Sequence, residues 1–295
     1  MSVLQSLIDG IAQGAVFALV AVGIALVFGV LRLVNFAYGE LITIGGYTLA
    51  LTSDWPIPLS LLACLAASVA LAVLTERVAF RPLRNAAPAT TLVATFAVAF
   101  SLEAVWRIAF GVDGRSADVL GGLNRTAISG ALDVRWITIV ELVLGVALLA
   151  ALGLLLNRTN IGLQMRAAAA DIRTARALGV RADRVITFAF VLAGLLAGVV
   201  AMLLTAAAPL VEPTFGLQIT IFALVGVVVG GMDNLVSATL GGFALGLANS
   251  LLGDILPADE RVFLPSFTFL LVIIVLVLRP AGLFRSRSAA GVERV

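Results

Sequence analysis

Histidine is absent from the 295 residues, and lysine is absent as well, so all 19 basic residues are arginine. Without histidine there is no Ser-His-Asp triad, no HExxH zinc site and no histidine proton relay. Without lysine there is no Walker A loop, because that motif needs a lysine to reach the β- and γ-phosphates. ATP hydrolysis by a P-loop on this chain is therefore excluded. The single cysteine, Cys64, rules out an intrachain disulfide and CxxC chemistry. It lies in an apolar run and reads as a small buried or lipid-facing hydrophobe. No group of residues reads as a metal site or as a catalytic set. Charge is scarce too, at 12% of residues. A soluble domain carries about 25%, and half of that cannot cover a water-facing surface of this size. The net charge of +2 gives no reason to expect a nucleic-acid partner.

What fills the chain instead is apolar. Hydrophobic residues make up 61% and mean hydropathy is +1.14, so the bilayer is the solvent for most of the chain. Met1 to Asp9 lacks the charged start of a cleavable signal. Runs long enough to span occur at Ile11–Leu31, Ile57–Thr75, Ala89–Phe110, Ile137–Leu156, Val185–Ala208, Gly216–Met232, Leu235–Gly253 and Val262–Leu278. Leu41–Thr52 is shorter and reads as half of a broken helix starting near Phe36. The expected fold is all-α: a polytopic membrane bundle of about eight or nine spanning helices, the second short or broken, forming one domain over residues 1–295.

Arginine placement predicts the orientation. Glu76–Pro88, Asn157–Arg184 and the tail with Arg279, Arg285, Arg287 and Arg294 are basic and should be cytoplasmic. Gly111–Trp136 is neutral and Leu204–Phe215 carries only Glu212, so both fit the outside. Span parity then puts the N-terminus outside and the C-terminus in the cytoplasm. Trp55, Trp106 and Trp136 fall near the outer interface. The pairs Gly10/Gly14, Gly194/Gly198, Gly226/Gly230 and Gly242/Gly246 have the small-xxx-small spacing of close helix crossings. A short echo links Gly39-Glu40-Leu41-Ile42-Thr43-Ile44 to Gly216-Leu217-Gln218-Ile219-Thr220-Ile221, as in transporters built from repeats with interrupted helices.

Polar groups concentrate in two places. Arg32 to Glu40 reads either as a cytoplasmic turn or as an unwound segment lining a cavity, with Asn35, Tyr38, Glu40 and Thr43 facing the translocation pathway. The 157–184 loop is too long for a turn. Leu163–Leu178 is rich in helix formers and bracketed by Gly162 and Gly179; Arg166, Arg173 and Arg176 fall at i, i+7 and i+10 on one face. It reads as a basic helix that rests on anionic headgroups or docks a cytoplasmic partner. Glu103 and Arg107, at i and i+4, are set to pair, and Glu141 enters the next span at a depth where it could join them.

Asn35-Phe36-Ala37-Tyr38-Gly39-Glu40 resembles the Asn-Phe-Ala-His-Gly-Glu signature of branched-chain amino acid ABC importer permeases. Arg81-Pro82-Leu83-Arg84 with Thr90 to Thr95, Thr159 to Ala167 with Ala175 to Val180, Gly230-Gly231-Met232 and Leu278 to Phe284 follow in family order. Tyr38 stands where His is common, and Asp233-Asn234 departs from the more usual Gly-Ser or Gly-Thr, which leaves room for a urea or short-amide substrate. The resemblance, to the first of the two permease types, implies a non-enzymatic transport subunit in the bacterial inner membrane. It implies a homologous second permease, two cytoplasmic ATPase subunits holding ATP and Mg, a periplasmic binding protein, and no cofactor on this chain. It makes the loop an ATPase-coupling element, with Gly162, Arg166, Ala167, Arg173, Ala175, Arg176 and Gly179 as its residues. A secondary transporter would carry titratable groups at mid-membrane, which are scarce here. An intramembrane aspartate dyad fails because Asp233 and Asp254 flank opposite ends of one span.

Overall fold

The computed structural model describes residues 3–84, 86–128, 133–232, 234–279 and 282–284. Asp233, Arg285, Arg287 and Arg294 of the sequence reading lie outside the described residues. The helices, in chain order, are α1 (Val3–Leu31), α2 (Tyr38–Leu51), α3 (Ile57–Thr75), α4 (Pro88–Phe110), α5 (Trp136–Arg158), α6 (Asn160–Ala170), α7 (Ile172–Ala177), α8 (Ala182–Ala207), α9 (Phe215–Gly230), α10 (Leu235–Ile255) and α11 (Leu264–Leu278). Among the described residues seven helical stretches are long and apolar enough to cross a membrane, counting α3 through Phe80 and α11 from Asp259, while α9 is a shorter apolar helix of 16 residues and α2 has 14. The chain is thus an all-α, multi-pass bundle with a short second helix.

α1 runs through the middle, packed by α5, α8, α9 and α10. Its Ala18, Leu19, Val20 and Ala21 are sealed from solvent. A span apolar on every side can be buried on every side. α4, α5 and α11 are peripheral and present Phe100, Val143 and Val277 outward.

The small-residue pairs mark the crossings. Gly14 of α1 meets Gly246 and Phe243 of α10; Gly226 and Gly230 of α9 meet Gly241 and Gly242 of α10; Gly194 and Gly198 of α8 lie on Leu65, Ser68 and Val69 of α3. With apolar burial giving little drive in lipid, backbones brought this close gain van der Waals contact instead.

Four short strands sit in the connections. β1 (Arg115–Ser116) pairs antiparallel with β4 (Leu210–Val211), and β2 (Thr126–Ile128) with β3 (Val134–Arg135). The first pairing joins the α4–α5 and α8–α9 connections, so both lie at one end of the bundle. At the other end, Arg84 bonds Asp183 (2.5 Å) and Arg32 donates to the Ala169 carbonyl (3.0 Å), joining the connections after α1, α3 and α5. The basic connections after α1, α3 and α5 thus share one end of the bundle.

Candidate functional site

The chain after α1 turns back into the bundle before it becomes helical again. Arg32, with φ +55°, closes α1 in the left-handed conformation that ends helices. Tyr38, only six residues on, packs against Gly23 of α1. Gly23 lies about 12 Å up the helix from Leu31, at 1.5 Å per residue. The contact is made by the far end of the Tyr38 ring, so the side chain covers part of that height and the non-helical residues 32–37 cover the rest. Asn35 tightens the turn: its Oδ1 accepts from Ala37 N (3.0 Å) and its carbonyl accepts from Tyr38 N (3.3 Å).

α2 therefore starts inside the bundle, and so does α9. Thr43 Oγ1 accepts from Gly216 N (3.0 Å), placing the first turn of α9 beside the second turn of α2. A Cβ on Gly39 would lie 2.7 Å from the Gly216 carbonyl oxygen and 2.9 Å from Thr220 Oγ1. A Cβ on Gly216 would strike the Gly39 carbonyl and lie 2.9 Å from Thr43 Oγ1. The two echo segments are thus in contact with equivalent residues exchanged, Gly39 on Gly216 and each threonine facing the other segment's glycine. Two interrupted helices meeting at their N-termini are an arrangement found at the centres of transporters.

Asn35, Tyr38, Glu40 and Thr43 come together here, and all are buried. Glu40 Oε2 accepts from Trp106 Nε1 of α4 (2.6 Å). Trp106 is thus turned inward, unlike Trp55 and Trp136, which are half exposed. An interfacial position could be read from its place in the chain, but a buried carboxylate needs a donor, and the indole N–H supplies it. Glu103 and Arg107 form the expected ion pair. Glu141 does not join them; its neighbouring charges are Arg135 and Asp9.

An aromatic wall escaped the sequence reading. Phe36, beside the buried four, is partly exposed and stacks on Phe96 of α4 (centroids 3.8 Å apart), which stacks on Phe100 (6.3 Å). The spacing of Phe96 and Phe100 is the only local signal of it; Phe36 joins them only once the unwound segment has placed it.

The loop at the arginine-rich end holds two helices, not the single one expected over Leu163–Leu178. Thr159 caps α6, with Oγ1 accepting from Gly162 N (3.1 Å). Gly162 is required, since a Cβ would lie 2.5 Å from Leu156 Cα. Asp171 then breaks the run: its carboxylate accepts from Arg173 N (2.8 Å) and Thr174 Oγ1 (2.5 Å) and caps α7. These bonds hold the Asp171 carboxyl below the usual carboxylate range. An aspartate in mid-run competes with the helix backbone and starts a new helix. Gly179, with φ +88°, ends α7.

The break divides the arginines. Arg166 bonds Asn157 Oδ1 (3.0 Å) and lines a cavity of about 410 Å³ with Arg32 and Met165. Arg173 and Arg176 line a different one, of about 480 Å³, with Arg84. Ala175 and Met165 are buried as anchors, while Ala167 is partly exposed.

A second ionic centre was also missed. A π-helical turn, Glu76–Phe80, follows α3. Arg84 folds back onto Glu76 and also reaches Asp183 at the start of α8. Glu76 further accepts from Thr187 Oγ1 (3.3 Å). Asp183 and Thr187 lie 99 and 111 residues from Arg84 and Glu76, so no local pattern announces the network.

These features, a multi-pass bundle with two short helices abutting inside it and a pair of arginine-bearing helices at one end, are those of a membrane permease. The sequence matches the family described as branched-chain amino acid transport system / permease component over residues 6–278, and the chain belongs to that family. The high-affinity branched-chain amino acid transport system permease protein BraD of Pseudomonas aeruginosa is 30% identical over 295 residues, 95% of each chain. The permease protein LivH of Escherichia coli K12 is 26% identical over 306 residues, covering 95% of this chain and 94% of that one. In fold, a chain of PsaBC from Streptococcus pneumoniae, solved in complex with a Fab, is similar over 94% of this chain and 92% of that chain, with TM-score 0.54 and 16% identity.

Proposed function

We propose that this chain is one membrane subunit of an ATP-driven importer of branched-chain amino acids in the bacterial inner membrane. The observation that carries the reading is the unbroken family match over residues 6–278. The partners would be a homologous second permease, two cytoplasmic ATPase subunits that hold ATP and Mg, and a periplasmic binding protein. Residues 1–295 would act as one permease domain with the N-terminus outside and the C-terminus in the cytoplasm. The departures at Tyr38 and Asp233-Asn234 favour keeping urea and short amides as the second substrate class.

The 157–184 loop would couple ATPase motion to the spans. Gly162, Ala167, Ala175 and Gly179 shape it, and Arg166, Arg173 and Arg176 form its basic contacts. Two short helices joined at Asp171 can tilt separately, and Arg32 ties α6 to the end of α1. Asn35, Tyr38, Glu40 and Thr43 would act on the pathway by setting where α2 begins.

Mass spectrometry of what copurifies with the tagged chain, extracted from its native membrane in mild detergent, is the first test. A second permease and two P-loop ATPases support the importer. A chain that emerges alone and transports in liposomes without ATP rejects it. Uptake of labelled leucine against labelled urea by the reconstituted complex then decides the substrate. Arg166→Glu/Arg173→Glu is expected to abolish ATP-driven uptake while leaving the bundle folded; full uptake by that variant removes the coupling assignment.

A further inference from the structure

A cavity of about 540 Å³ opens where the end of α3 meets the start of α8, beside Ile161 of α6. Four arginines line it: Arg77, Arg81, Arg84 and Arg184. Arg84 is committed, because it bridges Glu76 and Asp183. Arg77, Arg81 and Arg184 are exposed and have no carboxylate partner among the described residues. Three guanidiniums against two acids already engaged by the fourth leave the cavity positive.

The other end of the cavity is apolar. Phe188 and Val191 form its wall, and both are partly exposed. Arg184, Phe188, Val191 and Leu195 stand at i, i+4, i+7 and i+11, one face of α8. Leu195 is 38% exposed on a helix that is otherwise largely buried. A cationic head thus leads into an apolar stripe pointing down the span, which is the outline of a phospholipid.

We propose that this groove binds an anionic phospholipid. The phosphate would sit among Arg77, Arg81 and Arg184, whose planar forks match phosphate oxygens, and an acyl chain would lie along Phe188, Val191 and Leu195. A zwitterionic lipid fits less well, because its ammonium or choline would meet the same arginines. The headgroup borders Ile161 and Asp183, which begin and follow the loop helices, so an occupied groove steadies the α3–α8 end against that loop.

The test is lipid retention by the complex as it extracts from native membranes. Phosphatidylglycerol and cardiolipin are quantified by mass spectrometry after exchange into nanodiscs of phosphatidylcholine doped with phosphatidylglycerol. The wild type should retain anionic lipid, and Arg77→Gln/Arg81→Gln/Arg184→Gln should retain about tenfold less, a change of 1.4 kcal/mol in binding. The corresponding lysine triple should keep most of it. If the glutamine variant does not assemble, Val191→Trp fills the apolar wall with the arginines intact and should lower retention by itself. Equal retention in wild type and variants overturns the proposal. So does displacement of the lipid by inorganic phosphate alone, or a photoreactive residue at position 188 that crosslinks to a partner subunit and not to lipid. None of these readouts depends on which solute is transported.

Discussion

Trp106 shows how one side chain can decide the chemistry of the centre. Glu40 is 1% exposed and its carboxylate is served by the indole N–H of Trp106. Trp106→Phe keeps a ring beside Tyr47 and stacked on Phe110 but removes the donor. An acceptor left without a partner in the interior costs about 1–3 kcal/mol. The thermal midpoint in detergent is therefore expected to fall. An unchanged midpoint would mean that Glu40 has another donor, and the α2–α4 link would have to be redrawn. Glycine acts at the same scale in the opposite sense. A side chain on Gly216 meets the Gly39 backbone, which cannot step aside, whereas Gly153 of α5 has nothing within 4 Å of its Cβ position. Gly216→Val should prevent accumulation of folded protein, and Gly153→Ala should be neutral or stabilise by up to about 1 kcal/mol through helix propensity. Expression and melting of the two variants side by side test this.

At the scale of elements, the break at Asp171 separates what composition would join. The run Leu163–Leu178 is alanine-rich and reads as one helix, yet the aspartate carboxylate takes the first amides of α7 for itself. The cap depends on the charged form. Its carboxyl is held below the usual carboxylate range, so the stabilisation is complete above the ordinary aspartate value, near pH 4. It is lost as pH falls through the lowered value. Hydrogen exchange of residues 172–177, corrected for intrinsic rates, should be flat from neutral pH down to that region. Asp171→Ala should exchange faster throughout; a wild type that loosens already near neutral pH would contradict the cap.

For the whole molecule, the connections sort into two ends. β1 and β4 bind two connections at one end, and Arg84, Asp183 and Arg32 tie three at the other. The arginine-rich end should face the cytoplasm under the positive-inside bias. Cys64 is fully buried, so the native chain offers little thiol background. Asp113→Cys should label with an impermeant maleimide in intact cells, and Leu178→Cys, at an 80% exposed position, only after the membrane is opened. The reverse pattern would invert the assignment of the two ends.

The apolar spans and the family were legible in the sequence because each is a local property. A run of about 20 apolar residues must cross or be buried wherever it lies, and motif order survives any folding. The short second helix was legible too, since residues 41–52 cannot span alone. What only the tertiary structure decided involves partners far apart in the chain. The six-residue echo gains meaning from Gly39 and Gly216 touching across 177 positions. The return of residues 32–37 into the bundle appears only when the Tyr38 ring is found against Gly23. The Glu76–Arg84–Asp183 network and the inward turn of Trp106 depend on which helix lies alongside which. In lipid, side-chain polarity says which residues must find a partner, but only the packing of the helices says which partner they find.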